Sequence, residues 1–365
     1  MSISKSQSIS PYYQTKITLV SFVLVLMMLF VHGIYNESNL YRISNIVLSV
    51  IPRLSYRVIN PTYFAISGFL FFKGIKTVTD CFPKIKKRIR TVLVPFVLWN
   101  AIAILTYLIF SHLPLTREFL RRDIIGHFQT PFGAFEFFFI RPGSFHLWFL
   151  RDLIVYVALS PVLYWLIKQF GWFVAPITLV ATPPLMQWLN LYHLEIAFFI
   201  LGGTIVLHSN LEAVKVFLSK PIVLVAAFIY FSLSAIWDFA FPKQFVGEEY
   251  LSIFFSICGM ITLWRGYDYL ARTTHIEQSL FLLSLTNYSF FIYLFHEPIL
   301  FIIMQLGKIV FGVNGISLTL LYLINPVLII CLGIVLAKGI KKISPSLYSA
   351  LVGGRITRFR ASETF

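Results

Sequence analysis

Long apolar stretches alternate with short polar ones along the whole chain. A helix that crosses a bilayer needs about 20 mostly apolar residues. On that rule the pattern predicts ten spans, at about 17–35, 57–73, 91–111, 146–167, 171–189, 194–208, 221–237, 250–265, 286–306 and 318–338. The expected fold is all-α, a polytopic membrane helix bundle of about ten transmembrane helices. The sixth span is short, and its Gly202-Gly203 pair predicts close helix packing. Ahead of the fourth span, PFGAFEFFFIRPGSF is aromatic and bracketed by Pro and Gly. It is expected to lie in the membrane interface or to re-enter.

Composition agrees with a membrane protein. The chain is 58% hydrophobic and 12% charged, where a soluble domain is about 25% charged. Its net charge is +15. The basic residues fall in the loops between apolar spans, which excludes a nucleic-acid-binding class and fits the positive-inside rule. With the N-terminus cytoplasmic, 20 of the 30 Lys and Arg fall on that side, so both termini are expected to be cytoplasmic. The run after MSISKSQSISPYYQTK has no small-residue cleavage site, and is expected to be a retained helix rather than a signal peptide. Cys81, Cys258 and Cys331 are scattered and suggest neither a disulfide nor a metal site. Residues 341–365 form a basic tail expected on the anionic cytoplasmic leaflet, after a single transmembrane domain over 1–340.

Candidate chemistry comes from polar groups inside this apolar body. His32 lies near the outer end of the first span, roughly 24 Å from its inner end at 1.5 Å per residue. Asn36 and Glu37 follow one turn on. Histidine exchanges protons near neutral pH, and an ionisable side chain within a membrane points to function by default. His296 and Glu297 sit mid-span ahead of Pro298, which removes a helix hydrogen bond and predicts a kink. The run KIKKRIR places Lys86, Lys87, Arg88 and Arg90 at a span start, where arginine forks suit phosphate oxygens. Such a cluster is usually a topology signal. The fourth span opens with His146, Trp148, Arg151 and Asp152. Neighbours on a helix point about 100° apart, so Arg151 and Asp152 are expected to find partners elsewhere in the bundle.

The run PTYFAISGFLFF, the basic RIR before a Pro-containing span, HLWFLRDLIV followed by SP, and NYSFFIYLFHEP together resemble the acyltransferase 3 family of integral-membrane acyltransferases. The resemblance covers about residues 15–340. It implies an O-acyltransferase that moves an acyl group, acetyl first among candidates, from acyl-CoA to a hydroxyl of an envelope or surface glycan or its lipid-linked precursor, in a bacterial inner membrane. It implies no metal, and as partners only membrane lipid and a glycan acceptor. The family's catalytic first-span histidine maps on His32, with His296 and Glu297 as further catalytic candidates. Its Arg-x-Arg motif, linked to the acyl donor, maps on Arg88 and Arg90, beside Lys86 and Lys87. Asn36, His146, Trp148, Arg151 and Asp152 are the substrate-binding candidates. The mapped donor and catalytic sites lie towards opposite faces, so the donor's pantetheine arm has to reach into the bundle or the acyl group has to be passed across.

The chain departs from the family at one place. Many members carry an arginine about ten residues before the first-span histidine, where this chain reads SFVLVLMMLF. Arg151, Arg57 or the His296–Glu297 pair are the candidates to replace it. A secondary transporter or flippase is the alternative reading, because ten spans, buried ionisable groups and a kinked helix suit one too.

Overall fold

The computed structural model describes residues 9–34, 42–111, 130–140, 142–189, 195–209, 211–240 and 247–355. Among them every regular element is helical. The first helices are α1 (Pro11–His32), α2 (Arg42–Phe72), α3 (Cys81–Arg88) and α4 (Val94–Ser111). A short α5 (Pro131–Phe135) precedes α6 (Trp148–Ala158), α7 (Ser160–Phe170), α8 (Val174–Leu189), α9 (Ile196–His208) and α10 (Leu211–Phe217). There follow α11 (Lys220–Phe228), α12 (Ser234–Ala240), α13 (Glu248–Thr274), α14 (Leu280–Thr286), α15 (Ser289–Phe311), α16 (Gly315–Ile343) and α17 (Pro345–Leu351). Three π-helical turns, Ile89–Leu93, Glu136–Ile140 and Ile229–Leu233, continue α3, α5 and α11. The three cysteines are free.

The helices form a polytopic membrane bundle whose breaks do not coincide with the ten apolar runs. Among the described residues five helical stretches are long and apolar enough to cross a membrane: Pro11–His32, Val78–Ile109, Ser160–Met186, Lys220–Trp237 and Gly315–Ile343. Two bent pairs raise the number to seven. The differences have local causes. The expected fourth span is two helices, α6 and α7, with Pro161 near the start of the second. The sixth ends after 13 residues and bends by 106° into α10. The ninth breaks by 59° at Glu297. Helices α2 and α13 are 31 and 27 residues long, but Arg57 and Asn60 in one and Arg265 and Asp268 in the other dilute their apolar character. The aromatic segment ahead of α6 is a ten-residue apolar helix, Pro131–Ile140, about 15 Å long and too short to cross.

The chain divides into two compact units. The first comprises Met1–Met28, Arg53–Ile85 and Tyr156–Thr286. Its tightest contact is the crossing of α2 and α9. A Cβ on Gly202 would lie 1.9 Å from the Ala65 carbonyl oxygen, and one on Gly68 the same distance from that of Phe199. The two backbones therefore touch, as small residues at a membrane crossing allow. Charge is buried here too. Lys16 of α1, 1% exposed, bonds Asp268 of α13 at 2.6 Å. Tyr12 also donates to Asp268, at 2.5 Å, and Arg265 pairs with it. A buried cation needs this much compensation.

The second unit comprises Leu29–Pro52, Lys86–Val155 and Asn287–Phe365. Its backbone is the antiparallel pair α15 and α16, where Ile292 and Phe295 pack on Gly333. The tail begins inside α16 and continues as α17, whose Tyr348 and Leu351 are buried. Trp99 Nε1 of α4 donates to the Leu351 carbonyl at 3.0 Å, and Tyr348 lies against Phe291.

Candidate active site

Three histidines and one glutamate meet in the second unit. α1 delivers His32 as its last residue. α15 delivers His296 and Glu297. The residue before a proline is steered out of the α region, and Glu297, ahead of Pro298, has φ −101° and ψ 134°. That break sends the Glu297 side chain to the same side as His296 and toward His32. The third histidine comes from the 3-10 turn Phe145–Leu147 that precedes α6. Tyr293 holds that turn by donating its hydroxyl to the His146 carbonyl at 2.8 Å.

Hydrogen bonding sets the tautomers. His296 Nδ1 lies 2.7 Å from the Tyr293 carbonyl, which can only accept, so Nδ1 carries the proton. In a neutral ring that leaves Nε2 as an acceptor. His296 Nε2 faces His32 Nδ1 at 3.4 Å, and Glu297 Oε1 is 3.8 Å from the same nitrogen. Both neighbours therefore favour a proton on His32 Nδ1. The lone pair of His32 is then on Nε2, ready to take a proton. His296 is fully buried, whereas the His32 and Glu297 side chains are 18% and 17% exposed. The exposed edge of the cluster is thus formed by His32 and Glu297. His146 lies behind, its ring 4.5 Å from that of His296 and its Nδ1 2.9 Å from Ser144 Oγ.

Donor atoms of His32, His296 and Glu297 lie within 4.8 Å of one another. Two histidines and a carboxylate are also a ligand set that a zinc-like cation accepts.

The other expected site residues take various places. Arg151 and Asp152 pair with each other, contrary to expectation: Arg151 Nε is 2.7 Å from Asp152 Oδ1, and Nη1 bonds the Ile140 carbonyl. The long arginine side chain folds back across the 100° between the two positions. Trp148 is buried at the start of α6. Lys86, Lys87 and Arg90 are exposed and Arg88 is half-buried. They occupy the last turn of α3 and the π turn that follows it, a distortion often found at functional sites. The folded tail passes beside them: at Gly353 a Cβ would come within 2.5 Å of the Thr91 carbonyl oxygen. Asn36, with Glu37, lies outside the described residues.

Of the candidates to replace the absent first-span arginine, the His296–Glu297 pair is the one set against His32. Arg57 bonds Ser234 Oγ at 2.6 Å, and Arg151 is engaged as above. Sequence reasoning missed Tyr293 and Ser144, whose types carry no functional signal, and Lys16, which falls one residue outside the first apolar run.

Among known proteins, the chain is similar to the succinoglycan biosynthesis protein ExoH of Rhizobium meliloti (strain 1021). The two are 24% identical over 359 residues, covering 93% of this chain and 92% of that protein. No solved structure matches. The profile of an acyltransferase domain, that of the acyltransferase 3 family, matches residues 16–338. That match takes in most of the chain and the whole histidine–glutamate cluster, and the chain belongs to the acyltransferase 3 family.

Proposed function

We propose that this acyltransferase moves an acyl group, acetyl first among candidates, from acyl-CoA to a hydroxyl of an envelope or surface glycan, or of its lipid-linked precursor. The observation that carries the reading is the His296–His32–Glu297 arrangement, in which a partly exposed imidazole is backed by a buried one and by a carboxylate. The similarity to a protein of succinoglycan biosynthesis supports a glycan acceptor.

His32 Nε2 takes the proton of the acceptor hydroxyl as its oxygen attacks the thioester carbonyl. Glu297 stabilises the imidazolium that forms, as a carboxylate does in a serine-protease triad. Collapse of the tetrahedral intermediate breaks the carbon–sulfur bond, and His32 returns its proton to the departing CoA thiolate. General base catalysis of this kind contributes about 10²–10⁴-fold. His296, fixed by the Tyr293 carbonyl, holds His32 in the productive tautomer. Lys86, Lys87, Arg88 and Arg90 are the groups suited to the phosphates of the donor, and the positive-inside rule puts them and both termini on the cytoplasmic face. A bacterial inner membrane is the expected location.

One observation favours the alternative. Transporters place their sites at broken helices in matching halves, and each unit here contains one bent pair. Family membership weighs on the side of the enzyme.

The test compares the surface polysaccharide of a host strain with and without the gene, reading ester-linked acyl groups by mass spectrometry and proton NMR. His32→Ala and Arg88→Ala/Arg90→Ala are included at matched expression. Loss of one O-acyl group in the deletion and in both variants is expected. Full acylation by His32→Ala ends the proposed mechanism. Unchanged acylation with altered glycan export moves the assignment to a transporter.

A further inference from the structure

The turn after α17 is built against the basic cluster that follows α3. α17 docks through its buried Tyr348 and Leu351, and the Trp99 indole bonds the Leu351 carbonyl. The chain then turns through two glycines with positive φ, Gly353 at 65° and Gly354 at 71°. At Gly353 a Cβ would lie 2.8 Å from the Thr91 Cα as well as 2.5 Å from its carbonyl oxygen. Only glycine meets both the dihedral and the space, so the turn is fitted to the residue that follows Arg90. Arg355 comes next, half-buried, with its guanidinium 3.6 Å over the ring of Phe290 in the first turn of α15. All of these residues belong to the second unit.

Charge makes this placement costly for the protein alone. No acid among the described residues pairs with Lys86, Lys87, Arg88 or Arg90. The tail brings a further arginine to these four cations. Like charges gathered in one place repel one another, and a bound polyanion relieves the repulsion. Stacking on Phe290 engages the face of the Arg355 guanidinium. The N–H donors of a guanidinium lie in its plane, as a fork that matches phosphate oxygens.

We propose that the C-terminal turn is part of the donor site, with Arg355 holding a phosphate of the nucleotide end of acyl-CoA together with Arg88 and Arg90. The inference rests on the acyl-CoA donor proposed above. It extends that reading to residues 344–355, which lie outside the matched acyltransferase domain ending at 338. CoA suits the cluster because its nucleotide end carries a diphosphate and a ribose phosphate, enough anions for several arginines. Gly353 sets the position of the turn, and Arg355 makes the contact. A basic tail can also lie on anionic lipid, but that needs neither a glycine turn against Thr91 nor the bond from Trp99.

The test is CoA binding to the purified full chain, measured by calorimetry in phosphatidylcholine nanodiscs. Arg355→Ala is expected to raise the CoA dissociation constant about tenfold or more, the effect of losing one charge-assisted hydrogen bond. Its melting temperature without CoA is expected to stay at the parent value, and Arg355→Lys to recover part of the affinity. Gly353→Val, which pushes the turn off Thr91, is expected to weaken CoA binding as well. Parent-like CoA affinity in Arg355→Ala overturns this inference and leaves the donor reading standing. A parent chain that binds no CoA ends both. An effect of Arg355→Ala seen only when phosphatidylglycerol is added assigns the arginine to lipid and refutes the proposal. So does a lost affinity that comes with a lower melting temperature and is not eased by lysine, since the arginine is then structural.

Discussion

Replacing Glu297 by glutamine removes a negative charge 3.8 Å from His32 Nδ1 while nearly preserving the side chain's shape. The carboxylate matters most when His32 is protonated, which the proposed mechanism requires only during reaction. Coulomb's law at that separation gives about 1 kcal/mol in a water-like medium and about 4 kcal/mol at an effective dielectric constant of 20. Each 1.36 kcal/mol is tenfold in rate, so the loss lies between about 6-fold and about 2,000-fold. Both side chains are mostly but not fully buried, which puts the expected loss near 10²-fold. The assay is the single-turnover transfer of labelled acetyl from acetyl-CoA to acceptor glycan by purified protein in nanodiscs. Donor binding, measured separately, should stay within about twofold, because the change touches none of the Lys86–Arg90 cluster. A Glu297→Gln protein that transfers acetyl within twofold of the parent refutes the role assigned to Glu297. A loss that tracks weakened donor binding refutes it equally.

Three further outcomes follow from the same geometry. Micromolar Zn²⁺ should inhibit transfer reversibly, because His32, His296 and Glu297 can chelate it and a bound metal fixes the imidazole tautomers; activity lost to a chelator and restored by zinc would instead make the cation a cofactor. Tyr293→Phe removes the bond to the His146 carbonyl and should cost about 1 kcal/mol of stability, read as a lower melting temperature with the His32 chemistry largely kept. Gly202→Val forces a side chain into the Ala65 backbone, and overpacking of this kind costs about 1–3 kcal/mol or more; monodisperse yield after extraction should fall sharply, and a normal yield would show that α2 and α9 can part.

The sequence showed which residues are chemically unusual more clearly than which ones meet. His32, His296 and Glu297 were legible because ionisable groups stand out in apolar runs, and Pro298 announced the break that aims Glu297. That His146 would lie behind His296 was not legible, since it depends on a hydrogen bond from Tyr293 across 147 positions of sequence. Apolar counting did not reveal the breaks because it measures length and not continuity: a proline at 161 and the bend after His208 interrupt runs of unchanged hydropathy. Lys16 was missed because the first apolar run starts just after it, and its partner Asp268 lies beyond the apolar part of α13. The pairing of Arg151 with Asp152 shows the limit of reading directions from helix geometry, since a long flexible side chain can turn back on its neighbour.

The Lys16–Asp268 bond also sets a timetable for biogenesis. Its partners are 252 residues apart. At synthesis rates of about 5–20 residues per second, the first helix waits roughly 10–50 s for the anion that neutralises its cation. During that interval Lys16 must hold its ammonium group at the lipid–water boundary, and α1 can settle to its final depth only when α13 arrives. Nascent chains released before residue 268 therefore keep an unpaired cation in their first helix. Quality-control proteases should remove these fragments faster than fragments that end just beyond it.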